Sequence, residues 1–136
     1  MSNDVLGKGR AIAVTGSSRG IGAGIALELA RRGFTVGCLS RGGGLPDGAE
    51  GPFIPFTCDV TDEASIRAAV DGFAKAAGGL HGVVNNAGLL VEQKSAELSL
   101  STFNEVMSTN AASVMMVSRD AFPHLLAAGG GGIVNI

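Results

Sequence analysis

"TGSSRGIG", Thr15 to Gly22, follows the apolar run "AIAVT" (Ala11 to Thr15) and opens a stretch of helical period. That placement decides the fold. A compact apolar strand, a glycine turn and an amphipathic helix make the first βα unit of a parallel sheet covered on both faces. Gly16, Gly20 and Gly22 also meet what a pyrophosphate needs: a tight turn, a bare backbone and N–H groups at a helix start. A tight turn without ligand is the alternative, and a lone glycine triplet is a weak signal outside such a unit. A P-loop is excluded, because no Gly-Lys-Ser/Thr closes the loop.

Working outward, the alternation continues. A helix is expected from Gly20 to Arg32, with Ile21, Ile25 and Leu29 at i+4 and Gly33 as its stop. "FTVGCLS" (Phe34 to Ser40) reads as the second strand, and "RGGGLPDGAEG" as a loop without helical period. "FIPFT" (Phe53 to Thr57) reads as a third strand at a sheet edge, because Pro55 cannot donate to a ladder. The next helix has Thr61 as its expected N-cap and Ile66, Val70, Phe73 and Ala77 as its apolar stripe. "HGVVN" (His81 to Asn85) is the fourth strand. A long helix follows from Ser101 to Ala127, with Phe103, Val106, Met107, Val114, Val117, Ala121 and Leu125 on one face. Pro123 predicts a kink or break near Ala121 or Phe122. "IVNI" (Ile133 to Ile136) reads as a buried fifth strand with no turn or polar tail after it. The fold class is α/β, a Rossmann-type doubly wound parallel sheet running to its fifth strand, in one dinucleotide-binding domain spanning 1–136.

Composition limits the functions. The chain has 136 residues, a net charge of −2 and a mean hydropathy of +0.34. It has no basic cluster, which argues against nucleic acid and anionic membranes as partners. No apolar run approaches the roughly 20 residues a spanning helix needs. The opening "MSNDVLGKGR" has no signal-peptide pattern, and with it the reading is a cytoplasmic protein. Cys38 and Cys58 lack CxxC spacing and read as buried thiols rather than a disulfide or a metal site; no metal is expected.

Two further stretches stand at strand ends: "CDVTD", with Asp59 and Val60, and "NNAG", Asn85 to Gly88. With the Thr-Gly-x-x-x-Gly-x-Gly loop they make the chain similar to the short-chain dehydrogenase/reductase family, and to its 3-oxoacyl-[acyl-carrier-protein] reductase-like members. The resemblance spans nearly the whole chain and implies an NAD(P)-dependent oxidoreductase. It places cofactor contacts at Gly16, Ser18, Arg19, Gly20, Ile21 and Gly22, at Asp59 and Val60, and at Asn86, Ala87 and Gly88. It also implies hydride transfer between nicotinamide and a carbonyl or alcohol, and dimers or tetramers for full-length members.

The second strand ends in Ser40 and Arg41, where dinucleotide folds often place a ribose-binding carboxylate. A carboxylate would repel a 2′-phosphate, whereas an arginine can pair with it. Arg41, with Arg19 from the loop, therefore predicts NADP(H) over NAD(H); a solvated surface Arg41 is the alternative.

Asn110 falls on the apolar stripe of the long helix, where a buried amide needs partners. It can satisfy a kink or a buried water; by resemblance, "STNAAS" carries the asparagine of a catalytic relay. The same resemblance expects a serine after the fifth strand and a Tyr-x-x-x-Lys. This chain contains no tyrosine, no lysine after Lys94 and no serine after Ser118. The expectation is a cofactor cradle without its general acid, in a chain cut just past "IVNI", with a non-catalytic dinucleotide-binding module as the alternative. His81 and His124 read as structural or solvated.

Overall fold

A computed structural model describes residues 6–136. The first five residues of the opening stretch read above for targeting lie outside the described residues. Five parallel strands form one sheet in the order β3-β2-β1-β4-β5: β1 (Ala11–Thr15), β2 (Thr35–Ser40), β3 (Phe53–Thr57), β4 (Gly82–Asn85) and β5 (Gly132–Asn135). The order reverses between β1 and β4, so the carboxyl ends of those two strands flank the crevice where open α/β sheets bind ligands. The expected Rossmann-type architecture is present, and β3 is an edge strand as Pro55 requires. Pro55 pairs with Cys38 by register, on the strand's outer flank, where a missing N–H costs no ladder bond.

Helix α1 (Gly20–Arg31) covers one face, over a small core that includes Val14, Ala26, Val36 and Cys38. Helices α2 (Glu63–Ala77) and α4 (Ser113–Ala127) cover the other, over a larger core including Ile66, Phe73, Val83, Val117 and Leu125. Helix α2 is capped by Asp62, whose Oδ1 accepts the Ala64 N–H at 3.0 Å, not by Thr61 as the sequence suggests. Thr61 is drawn away instead: its N–H and hydroxyl both donate to Asp59 Oδ1, at 2.9 and 2.7 Å. Gly78 closes the helix with φ +76°, the left-handed turn glycine takes without strain.

The long helix departs most from expectation. It comprises α3 (Leu100–Met107), a π-helical segment (Ser108–Ala112) and α4, running through Pro123 without a break. Pro123 lies on the solvent side, where the carbonyl it leaves unpaired, that of Arg119, can be hydrated. The irregularity falls earlier, at the π turn, where i→i+5 bonding widens the helix by one residue. That insertion rotates α3 out of phase with α4. Val117, Ala121 and Leu125 are buried as predicted, but Phe103 and Met107 are exposed and α3 buries no residue. "IVNI" likewise differs: β5 is a strand, but at the sheet edge, with all four of its residues exposed. Both cysteines are buried free thiols, and burial pushes Cys58 up to about 11. Among the described residues no helix is long and apolar enough to cross a membrane, and no cluster of metal-ligating side chains occurs.

Candidate functional site

The glycine loop lies at the carboxyl end of β1, packed edge-on against the turn that follows β4. Gly16 has φ +64° and a Cβ there would come within 2.9 Å of Ala87 Cα. A Cβ on Gly22 would overlap the Gly16 carbonyl and the Asn86 amide. Gly20, with φ +61°, meets nothing within 4 Å; its constraint is the left-handed turn itself. Three glycines thus serve two different needs, close approach and chain reversal. Ser18, Arg19, Gly20 and Ile21 are exposed around the start of α1, whose N-cap makes no side-chain hydrogen bond. The helix therefore presents free backbone N–H groups there.

Asn86 ties the two turns together. Its Nδ2 donates to the carbonyls of Thr15 and Gly16, both at 3.1 Å. Thr15 answers from the other side: its Oγ1 accepts the N–H of Asn86 and of Ala87, each at 3.0 Å. Thr15 is buried, so this hydroxyl is a fixed anchor. Its role was not read from the sequence; the signal available was a lone hydroxyl at the end of an apolar strand. Asn85, one residue earlier, donates from Nδ2 to Asn135 Oδ1 at 2.9 Å, and to Ser118 Oγ at 3.3 Å, joining β4 to β5 and α4.

Asn110 lies in the π segment and is exposed, contrary to the buried place the helical stripe predicted. Its amide is still fully engaged: Oδ1 accepts the Leu89 N–H at 2.7 Å and Nδ2 donates to the Leu89 carbonyl at 2.8 Å. Gly88 stands beside it, a Cβ there falling 3.5 Å from Asn110 Oδ1. Asn86, Ala87, Gly88 and Asn110 are therefore one connected wall.

On the β2–β3 side, Ser40 is buried with its hydroxyl unpartnered, and Arg41 beyond it is exposed. Asp59 follows β3, its backbone N–H held by Ser65 Oγ at 2.9 Å. Hydrogen bonds from Thr61, first from its hydroxyl, hold the Asp59 carboxyl below the usual range, with a smaller contribution from the Arg41 charge. Val60, next to it, is buried. The glycine loop, Arg41, Asp59 and the Asn86–Gly88 turn each follow the carboxyl end of a parallel strand, and Asn110 reaches the last of these from the π segment. His81 and His124 are elsewhere. His81 Nδ1 accepts the Ala11 N–H at 3.0 Å at the opposite end of the sheet, and His124 Nε2 meets Asp71 Oδ1 at 2.6 Å between α4 and α2.

A parallel α/β sheet with a bare glycine turn at its switch point defines a dinucleotide-binding fold. The chain matches the family model for short chain dehydrogenase over residues 10–136, and it belongs to that family. It is 33% identical to D-threitol dehydrogenase of Mycolicibacterium smegmatis, over 94% of this chain and 52% of that protein. It is also 33% identical to the 3-oxoacyl-[acyl-carrier-protein] reductase MabA of Mycobacterium avium, over 82% of this chain and 42% of that one. Among solved structures it superposes on NADH-dependent reductase A1-R′ complexed with NAD, with a TM-score of 0.82 and 31% identity. That match covers 99% of this chain and 61% of that one. The chain thus spans about half the length of the curated relatives it matches.

Proposed function

We propose that this chain is the dinucleotide-holding part of an oxidoreductase that moves a hydride between NADP(H) and a carbonyl or alcohol. The observation that carries the reading is the glycine cradle. Gly16 and Gly22 let the loop pack directly against the Asn86–Ala87 turn, and Gly20, exposed with nothing within 4 Å of a Cβ, leaves bare backbone at the uncapped start of α1. In this reading Gly16, Ser18, Arg19, Gly20, Ile21 and Gly22 receive the pyrophosphate, while Asn86, Ala87 and Gly88 form the opposite wall. Asp59 and Val60 border the adenine. The bound nicotinamide would supply the hydride; the protein's part is to orient it and to exclude competing reactions.

The preference for the phosphorylated cofactor rests on charge. No carboxylate ends β2; Ser40 offers a buried, unpartnered hydroxyl and Arg41 an exposed guanidinium. Asp59 is an acid close enough for the Arg41 charge to act on it, and Thr61 already occupies its Oδ1. The NADH-dependent neighbour makes NAD(H) the competing choice. Titration of NADPH and NADH, followed by nicotinamide fluorescence, tests this. NADPH should bind at least about tenfold tighter, a difference of about 1.4 kcal/mol, and Arg41→Ala should erase it. Equal affinities would refute the preference; no binding of either would refute the cradle.

A second reading is favoured by one fact: the 136 residues contain no tyrosine. Protonating an alkoxide needs an acid in reach, and removing such a group costs about 10²–10⁴ in rate. In this reading the chain alone binds cofactor without turnover, and Asn110 holds its part of a relay whose acid is not among these residues. Carbonyl-dependent oxidation of NADPH by the isolated chain would overturn it.

A further inference from the structure

Helices α2 and α4 carry a ladder of charges between them. Glu63 of α2 meets Arg119 of α4 at 3.1 Å, Arg67 meets Asp120 at 3.8 Å, and Asp71 meets His124 at 2.6 Å. On α2 the three residues are spaced at i+4, so acid, base and acid follow one another down a single face. Five of the six side chains are at least 31% exposed, and exposed pairs contribute little to stability. Asp120 is the exception. Its side chain is 7% exposed, its Oδ1 accepts from Arg119 Nε at 3.0 Å, and its Oδ2 is buried without a partner among the described residues. An orphaned carboxylate oxygen is costly, and an apolar side chain of similar volume would avoid the cost.

The apolar contacts of α4 do not fix its height on α2. Val117, Ala121 and Leu125 repeat at i+4, and so do Ile66, Val70 and Ala74. A slide of one turn, about 5.4 Å, therefore sets ridge against ridge again. The chain ahead of α3 leaves room for it, since residues 90–99 are all exposed. The charges do tell the positions apart. Moved one turn in either direction, Asp120 leaves Arg67 and faces Glu63 or Asp71, a buried acid against another acid.

We propose that Asp120 is a positioning residue: it sets the register of α4 on α2, and through it the place of Asn110. Helix α4 continues directly from the π segment that carries Asn110, so its height decides whether that amide reaches Leu89. A slide of one turn breaks both bonds and frees the loop after Gly88. The register rests on the fold alone; only its consequence for a bound dinucleotide rests on the reading above.

Asp120→Leu tests this. Arg67 and Arg119 are exposed enough to be hydrated, so no buried charge is stranded and the melting temperature should be unchanged or higher. Hydrogen exchange of the Leu89 amide should nonetheless quicken about tenfold or more, because slipped forms are no longer excluded. An acid that only held the helices together would lower the melting temperature instead. The double variant Glu63→Gln, Asp71→Asn keeps Asp120 and removes both repulsions from the surface. It should quicken Leu89 in the same way at nearly unchanged melting. Unaltered Leu89 exchange in either variant would overturn the proposal, as would a lowered melting temperature or loss of the fold in Asp120→Leu. NADPH titration of the same samples reports on the crevice separately. Weaker binding is expected wherever Leu89 exchanges faster; faster exchange with unaltered binding would count against the dinucleotide reading and leave the register standing.

Discussion

The side chain of Asn110 grips the backbone of Leu89 on both sides, accepting its N–H at 2.7 Å and donating to its carbonyl at 2.8 Å. An amide side chain thereby copies the pairing of a neighbouring strand, across 21 residues of sequence, and fixes the chain just after Gly88. The π turn sets Asn110 in place for this: one extra residue in the helix turns the amide out of the apolar stripe and toward the loop.

Asn110→Ala should therefore free the loop after Gly88. Two exposed hydrogen bonds are lost, so the expected destabilisation is about 1 kcal/mol by urea denaturation. The sharper readout is local: hydrogen exchange of the Leu89 amide should accelerate well beyond the global change. Asn110→Asp keeps the acceptor but sets a carboxylate oxygen against the Leu89 carbonyl, so it should retain only part of that protection. An unchanged Leu89 amide in the alanine variant would show that the grip does not order the loop.

His81 offers a test at the other end of the sheet. Its Nδ1 accepts the Ala11 N–H, so the neutral ring carries its proton on Nε2. His81→Leu keeps the bulk and removes the acceptor, leaving an N–H at the start of β1 unpaired. A loss of about 1–3 kcal/mol is expected. His81→Asn, which can accept through Oδ1, should recover a large part of it. Equal stability of the leucine and asparagine variants would exclude the hydrogen bond as the cause.

What was legible in the sequence, and what was not, divides along physical lines. Pro55 placed β3 at an edge, because a missing donor is a local fact with a topological consequence. The glycine loop and both strand-end motifs were legible as motifs, from residue types at fixed spacing beside a strand, although the contacts that fix Gly16 and Gly22 come from Asn86 and Ala87 far along the chain. Asn110 was misplaced because a periodicity argument assumes 3.6 residues per turn and the π turn departs from it, whereas Phe103 and Met107 were misplaced because α3 buries no face at all. Pro123 suggested a break that solvent removes the need for. Thr15 and Leu89 went unread because their partners, Asn86, Ala87 and Asn110, lie far away in sequence. Exposure of β5 depends on what covers a strand, which periodicity does not report.

On the surface of α1, Glu28 is held by Arg31 and Arg32, each bonded at 2.7 Å. These hydrogen bonds, led by that from Arg31, lower its carboxyl from 4.5 to about 2. A carboxyl depressed in the folded state contributes stability that is present above its unfolded value and lost as pH falls through the folded one. The contribution should thus be full above pH 4.5 and gone by about pH 2. Comparing wild type with Glu28→Gln by denaturation across that range checks it: the two curves should differ above pH 4.5 and converge toward pH 2. The triad is exposed, so added salt should shrink the gap. A difference that grows on acidification would contradict the assignment.

The glycine cradle itself makes the most demanding prediction, because two glycines of one loop should fail for different reasons. Gly22→Ala places a methyl group against the Gly16 carbonyl and the Asn86 amide, both main structural supports of the crevice. Overpacking of this kind costs about 1–3 kcal/mol, and here it also pushes apart the two turns that face the proposed pyrophosphate. Stability and NADPH affinity should fall together. Gly20→Ala meets no atom, but it must adopt φ +61°, a left-handed conformation that costs an alanine about 1–2 kcal/mol. Its damage should be mainly to stability, and Gly20→Asn, better tolerated in that region, should restore part of it. Gly22→Asn should restore nothing, because a larger side chain only deepens the overlap. Rescue by asparagine at 20 and not at 22, read by thermal denaturation and by NADPH titration, separates chain reversal from close approach. Equal rescue at both positions would mean that the overlap at Gly22 relaxes and that the cradle is not held as tightly as Asn86 and Thr15 imply.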